Sequence, residues 1–485
     1  MGVDSLGLAR PACSCSVIAV MTLIVPNTNR RRLLLGAAAL AAGGLASGGL
    51  AAAPRAPAPL TANLRGSLGA TEAKLSAGST RDQSRAFARM IENAAASGEP
   101  VVLPPGTFTI SNIALPPRIV ITGTPGATRL IYGGGGHLLL GEDAEHIELS
   151  GLVLDGGNRR LGDDAWGLGA FRRVRHLVVD NCRIVGSGGN GLSLEAVGGR
   201  VERSSISGAA EAGIYAVESR GLAITSNTVS DCGSGGILVH RWQPGEDRTL
   251  VTGNRVERIG ARHGGTGQWG NGINGFRADG LIIANNSVAD CAFSAIRANS
   301  CGNLQISGNT CLRSGETGLY AEFSFEGAVI NGNVVDGAAN GISVVNFNEG
   351  GRLATVTGNV VRNLSTTGPY PADPPGFGVG ITVEADTALT GNVVENAPLY
   401  GIKLGWGPFL RNVTATGNVV RQAATGIAVS VVEGSGTAVV SNNVIDGATA
   451  GAVVGYRWSE AVTGDLTLPD ARQFGHLQVT GNRVG

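Results

Sequence analysis

Along most of the chain, apolar residues come in short alternating runs rather than at helical spacing. One string recurs: a hydrophobic residue, any residue, Gly or Ser, then Asn, any residue and Val. It reads Ser226-Asn227-Thr228-Val229, Gly253-Asn254-Arg255-Val256 and Asn285-Asn286-Ser287-Val288. Its asparagine returns at 309, 333, 359, 392, 418, 443 and 482, and Cys182 and Ser204 hold that place in two earlier, degenerate copies. The steps between these positions are 22, 23, 27, 32, 23, 24, 26, 33, 26, 25 and 39 residues. A basal length near 23–26 with insertions is the signature of a solenoid coil. A second string follows each asparagine: Gly213-Ile214, Gly236-Ile237, Gly272-Ile273, Ala295-Ile296, Gly318-Leu319, Gly341-Ile342, Gly380-Ile381, Gly401-Ile402 and Gly426-Ile427.

Each coil therefore holds at least two short alternating strands between turn residues. Strands this short cannot bury an apolar face alone, so the coils must stack. Stacking pairs each strand in parallel with its equivalent one repeat away, at ~4.8 Å. The recurring asparagines fall in a turn, where they are expected to form one stacked row and where Asn tolerates left-handed backbone. Neither the LxxLxL frame of leucine-rich repeats nor the ~40-residue blade of propellers is present.

Residues 82–110 break this pattern. Phe87, Met90, Ile91 and Ala94 have helical spacing, with Asp82 as the N-cap, which predicts a helix over 82–97. The strand Val101-Val102-Leu103-Pro104-Pro105-Gly106 follows it. A helix there would close the end of a solenoid whose interior must not face water.

Composition agrees. The 485 residues include 77 glycines, which suits many tight turns, and only 5% aromatics. Formal net charge is zero. Without residues 1–53, which carry four arginines and one aspartate, 33 basic and 36 acidic residues remain, net −3. That balance speaks against a nucleic-acid binder, which would usually show a basic stripe, and leaves local binding of a polyanion open.

The N-terminus reads as an export signal. Arg30-Arg31-Arg32 precedes an Ala/Gly/Leu stretch ending at small residues near Ala53, with cleavage expected after Ala51 or Ala53 and Met21 a candidate true start. The stretch is Gly-broken and barely long enough to span a bilayer, so no stable membrane span is expected after processing. The division is thus a signal over 1–53, a Pro/Ala/Ser linker over 54–80, and one domain over 81–485. Five cysteines follow the signal, Cys182, Cys232, Cys291, Cys301 and Cys311, without CxxC spacing. They predict buried free thiols rather than a metal knuckle, and no metal or other cofactor is expected.

The helix with VVLPPGTFTI resembles the N-terminal cap of pectate-lyase-like β-helix proteins. The paired arginines followed by Asn-x-Val coils are similar to a family of twin-arginine-translocated repeat proteins of uncharacterised function. The resemblance covers residues 30–485. It implies an all-β, right-handed, single-stranded parallel β-helix, a periplasmic or secreted location, export by the twin-arginine machinery through Arg30 and Arg31, and a polysaccharide partner. Gly401-Ile402-Lys403 is similar to the basic motif of polygalacturonases, but their paired-Asp and Gly-His-Gly motifs are missing from that column, and so are the clustered carboxylates of a pectate-lyase calcium site.

Insertions point to a site. The usual gap from Asn to the next Gly-Ile is 8–9 residues, but it is 18 between Asn254 and Gly272 and 21 between Asn359 and Gly380. Long loops on one side of a solenoid often line a groove. All five tryptophans, Trp166, Trp242, Trp269, Trp406 and Trp458, lie beside this strand column, where flat rings can stack on sugars or fold back to seal the loops. Alternation turns the residues between Ile and Val outward: His240, Asn274, Arg297 and Asn299, Tyr320 and Glu322, Glu384, then Lys403. Arg297 and Glu322 are diagonal neighbours. His240 and Glu322 are three coils apart, ~14 Å. One reading is chemistry on a uronic acid in a lyase, hydrolase or epimerase. Arg297 would hold the carboxylate, Tyr320 or His240 would move a proton, and Glu322 would stay ionised beside the cation. Asn274, Asn299, Trp242, Trp269, Trp406, Lys403 and Glu384 would bind substrate. The plainer reading makes Arg297–Glu322 and Lys403–Glu384 surface ion pairs of a non-catalytic envelope or surface repeat protein, structural or binding glycans through its aromatic loops. Lys403 is ~19 Å from Arg297, so the two pairs cannot form one compact centre.

Overall fold

The computed structural model describes residues 68–69 and 75–485, residue 266 excepted. The stretch read as an export signal, with Arg30 and Arg31, lies outside the described residues. The chain winds into about 14 coils of a parallel β-solenoid with one short helix near its start.

Each coil contributes three strands, in keeping with the expected minimum of two. In one coil they are His176–Asp180, Arg183–Val185 and Asn190–Glu195. Each pairs in parallel with its equivalent above and below: His176 with His146, Arg183 with Ser205, Leu192 with Ile214. Three ladders result. The first is a 16-stranded sheet from Leu68–Gly69 to Leu477–Thr480. The second and third join into one sheet because their strands fuse in the last coils, as Val393–Leu404, Val419–Ser430 and Val444–Arg457. An antiparallel strand, Glu460–Asp465, folds back on the last of these.

The core consists of aliphatic columns in register. Ile237, Ile273, Ile296, Leu319, Ile342 and Ile381 stack through the third ladder, all buried. The glycine before most of them, with Ala295 the exception before Ile296, is required by close approach: a Cβ on Gly341 would sit 2.2 Å from the Gly380 carbonyl oxygen and 2.3 Å from Val361 Cγ1. The five cysteines are free and buried among the aliphatics, as expected, and burial pushes the Cys301 thiol up to about 12.

The asparagines form one ladder between the first and second strands of each coil. Asn333 is typical. Its Oδ1 accepts the Asn309 backbone N–H at 2.9 Å and the Asn309 Nδ2 at 3.0 Å, while its own Nδ2 donates to the Ile306 carbonyl at 3.0 Å and to Asn359 Oδ1 at 2.9 Å. The pattern repeats from Asn227 to Asn482. Ser204 and Cys182 extend it, Ser204 Oγ accepting the Cys182 N–H. The left-handed turn residue is the one before each asparagine: Gly332 has φ 64° and Asn285 φ 56°.

The helix spans Ser84–Ser97 and buries Phe87, Met90, Ile91 and Ala94, as their spacing predicts. The N-cap residue is Gln83, and Asp82 acts one position earlier, its Oδ1 accepting the Ser84 N–H at 3.0 Å. The stretch read as a linker already belongs in part to the solenoid: Leu68–Gly69 pairs with Val101–Val102, and Ser79 bridges to Phe108. Among the described residues no helix is long and apolar enough to cross a membrane.

Candidate functional site

The outward column of the third ladder has the expected register. Leu238, Asn274, Arg297, Tyr320, Ser343, Thr382 and Lys403 are successive partners, and beside them run His240, Phe276, Asn299 and Glu322. His240 and Glu322 are thus three coils apart. What differs is exposure. His240, Asn274, Arg297, Glu322 and Glu384 are buried, with Arg297 only 7% and Glu322 2% exposed, while Asn299, Tyr320 and Lys403 are half-buried. Arg297–Glu322 is therefore not a surface pair, and it does not line an open cleft.

The cover comes from the long Asn359–Gly380 insertion. Tyr370 folds from it onto the column, its ring stacked on Phe293 and edge-on to Phe377, and its hydroxyl donates to Glu316 Oε1 at 2.7 Å. Beneath it Arg297 binds Glu322 through two bonds, Nε–Oε1 at 2.6 Å and Nη2–Oε2 at 3.0 Å. Arg297 Nη1 lies 3.6 Å from Glu316 Oε2, which accepts from Ser294 Oγ at 2.8 Å. Asn299 Nδ2 donates to Glu322 at 2.9 Å, and the guanidinium lies 5.1 Å from the Tyr320 ring centre. One cation thus faces two buried carboxylates. Glu316, in the turn before Gly318, escapes sequence reasoning because it sits outside the alternating strand.

Burial also changes the expected proton chemistry. It raises the Glu322 carboxyl above its ordinary range, against the pull of Arg297, so the neighbouring cation does not dominate as expected. Burial raises the Tyr320 phenol. It lowers the His240 imidazole to about 4, despite a 2.7 Å contact between Nε2 and Asn274 Oδ1, so His240 is neutral near pH 7. His240 is packed edge-on between Tyr215 and Phe276.

Lys403 and Glu384 do not pair within ion-bridge distance. Glu384 Oε2 accepts the Phe347 N–H at 2.7 Å, and the Lys403 ammonium lies 4.1 Å from the Trp406 ring centre. Trp406 in turn meets Trp458 edge-on at 5.4 Å. Burial lowers Lys403 to about 8, opposed by Glu384. The chain has only two lysines, Lys74 and Lys403. A carbon-13 NMR titration of the lysine ε-carbons should show a signal with a midpoint near pH 8 that vanishes in Lys403→Arg. A Lys403 signal titrating at the ordinary lysine position would contradict this burial.

The open groove lies further toward the N-terminus on the same outward face. Trp269, from the Asn254–Gly272 insertion, and Trp166, from the loop over 156–166, line one cleft of about 540 Å³ together with Tyr215, Leu238, Asn190, Glu211 and Gln268. A hollow of about 100 Å³ adjoins it, sharing Trp166 and continuing along Ala170 and Ser193. Ala170, Ser193, Tyr215 and Leu238 are successive register partners, so the floor follows the ladder across four coils. Of the expected binding residues only Trp269 lies here. Trp242 is 59% exposed and lines neither hollow, and Trp406 belongs to the Lys403 pocket. The signal that could have located the groove is Trp166 in a loop before the first counted copy of the repeat.

The profile of the right-handed β-helix region family matches residues 151–267, 242–361 and 267–420. The chain belongs to this family. The preneck appendage protein of Bacillus phage PZA is 39% identical to this β-helix protein over 101 residues, 19% of this chain and 11% of that protein, and the pre-neck appendage protein of Bacillus phage phi29 matches equally. The β-helix chain thus spans about a tenth of the curated relatives it matches. Among solved structures, the pre-mature phi29 gene product 12 is similar at TM-score 0.53 and 17% identity, over 83% of this chain and 58% of that one. The catalytic unit of a GH87 α-1,3-glucanase from Streptomyces thermodiastaticus gives TM-score 0.45 and 16% identity, over 87% and 69%.

Proposed function

We propose that this protein is an exported β-helix that binds an extended polysaccharide in the Trp166–Trp269 groove. The observation that carries the reading is the meeting of two tryptophans from separate insertions over a floor four coils long. Sugar rings offer apolar C–H faces that stack on indoles, and Asn190, Gln268 and Glu211 supply donors and acceptors for hydroxyls. The floor spans three coil steps, ~14 Å, enough for a few sugar units. Binding rather than cleavage is favoured because the groove carboxylates Glu142, Asp163 and Glu195 are held in ion pairs, with Arg173 at 2.9 Å, Arg160 at 2.8 Å and Arg172 at 2.9 Å. On a glycan array, Trp166→Ala and Trp269→Ala should each weaken binding about tenfold, the loss of one stacked ring, while Trp242→Ala should not. Equal loss in all three would refute the groove.

The uronate chemistry expected of Arg297, Tyr320 and Glu322 is a second reading. It is favoured by Arg297 Nη1, a buried donor with no hydrogen-bond partner among the described residues, which a substrate carboxylate would satisfy once the Tyr370 loop opened.

Export through Arg30 and Arg31 completes the proposal. Changing both to Lys should leave an unprocessed cytoplasmic precursor, seen by fractionation. Continued export of that variant would point to the general secretory route.

A further inference from the structure

The charge of the groove bears on what it holds. Five carboxylates line the cleft and its adjoining hollow: Glu142, Asp163, Asp164, Glu195 and Glu211. Two arginines line them, Arg160 and Arg172. Arg172 is shared between Glu195 at 2.9 Å and Glu142 at 3.6 Å. Arg160 and Asp163 form an exposed pair, and such pairs leave the local potential little changed. Glu211 meets the ring of His263 at 2.7 Å. Asp164 makes no ion pair among the described residues. Arg173, outside the groove, also binds Glu142, at 2.9 Å. The groove therefore carries an excess of carboxylates over arginines, with Asp164 and Glu211 outside any arginine pair among the described residues.

A polyuronate brings one negative charge per sugar to this surface and would be repelled. A polymer bearing protonated amines would be attracted. The aromatic wall agrees, since the face of an indole attracts cations. Trp166 already carries the Arg172 guanidinium 4.3 Å from its ring centre.

We infer that the groove selects a cationic glycan, a polymer of amino sugars with free amines, over acidic and N-acylated polymers. The inference rests on the groove reading above and adds the substrate class. It reverses the uronate expectation drawn from Arg297, which lies outside the groove.

The test is calorimetric titration of the full chain with short oligomers of glucosamine, of N-acetylglucosamine and of galacturonate, at about pH 5, well below the range where amines lose their proton. The glucosamine oligomer should bind at least about fivefold tighter than the acetylated one, and the galacturonate oligomer weakest. Asp164→Asn and Glu211→Gln should each weaken only the glucosamine oligomer, about two- to fivefold, the range of an exposed ion pair. The advantage should fade in about 1 M salt, where screening acts within ~3 Å. Equal affinity for acetylated and free oligomers, or tighter binding of galacturonate, would overturn the inference. If Trp166→Ala still weakened that binding, the groove reading would stand. Binding of none of the three, with no hit on the array, would overturn both.

Discussion

Replacing Arg297 with alanine should lower stability by about 3–5 kcal/mol, the usual cost of removing one partner from a buried ion pair. The variant leaves Glu322 with only Asn299, and Glu316 with Tyr370 and Ser294, two buried carboxylates without their cation. They would have to take up protons or draw water under the Tyr370 loop. Arg352→Ala is the matched control. Arg352 also faces two carboxylates, Glu326 and Asp386, but its side chain is 38% exposed, and it should cost less than about 1 kcal/mol. Denaturant unfolding of the two variants decides the matter. Equal midpoints would mean that the cluster is wetter than its burial indicates. The same pair, assayed on uronate polymers, tests the second functional reading: turnover lost only in Arg297→Ala at a temperature where both remain folded would support it.

The second large effect is expected at Asn333. Leucine there removes the acceptor of the Asn309 N–H and the donor to the Ile306 carbonyl, both deep in the turn stack. Each buried polar group left unpaired costs about 1–3 kcal/mol, so a loss of about 2–6 kcal/mol is expected. Asn333→Ser should lose less, because the chain places serine in this row itself: Ser204 Oγ accepts the Cys182 N–H at 3.0 Å. An unchanged melting midpoint for Asn333→Leu would show that the row adds nothing to stability.

These two sites also show what the sequence makes legible. The asparagine row could be read because every coil needs the same donor and acceptor at the same turn, so the requirement is printed once per repeat. The diagonal placing of Arg297 and Glu322 followed from strand alternation and coil counting. Their burial did not, because it depends on Tyr370, which reaches Glu316 from 54 residues along the chain and from a loop without periodicity. The pairing of Lys403 with Glu384 failed for a local reason: Glu384 turns toward the Phe347 amide instead. A groove beside Trp269 is expected from the insertions, but its centre falls too far along the solenoid in that reading, because its second wall comes from an irregular loop ahead of the recognisable repeats. The count of strands per coil stays open above two in the sequence because the third strand carries no constant residue beyond an apolar one.

The asparagine row has a consequence for how such a chain can change length. Each rung joins its own coil to both neighbours: the Asn309 side chain accepts from Asn286 and donates to the Ile283 carbonyl and to Asn333. From Asn227 to Asn482 every rung is chemically the same. Deleting the stretch from one asparagine to just before the next, such as residues 309–332, would bring equivalent rungs into contact and restore the stack, whereas cutting within a coil would leave a rung facing the wrong turn. Duplication and loss of whole coils are therefore the cheap genetic steps for this architecture. They would move the Trp166–Trp269 groove and the Lys403 pocket along the rod without rebuilding either.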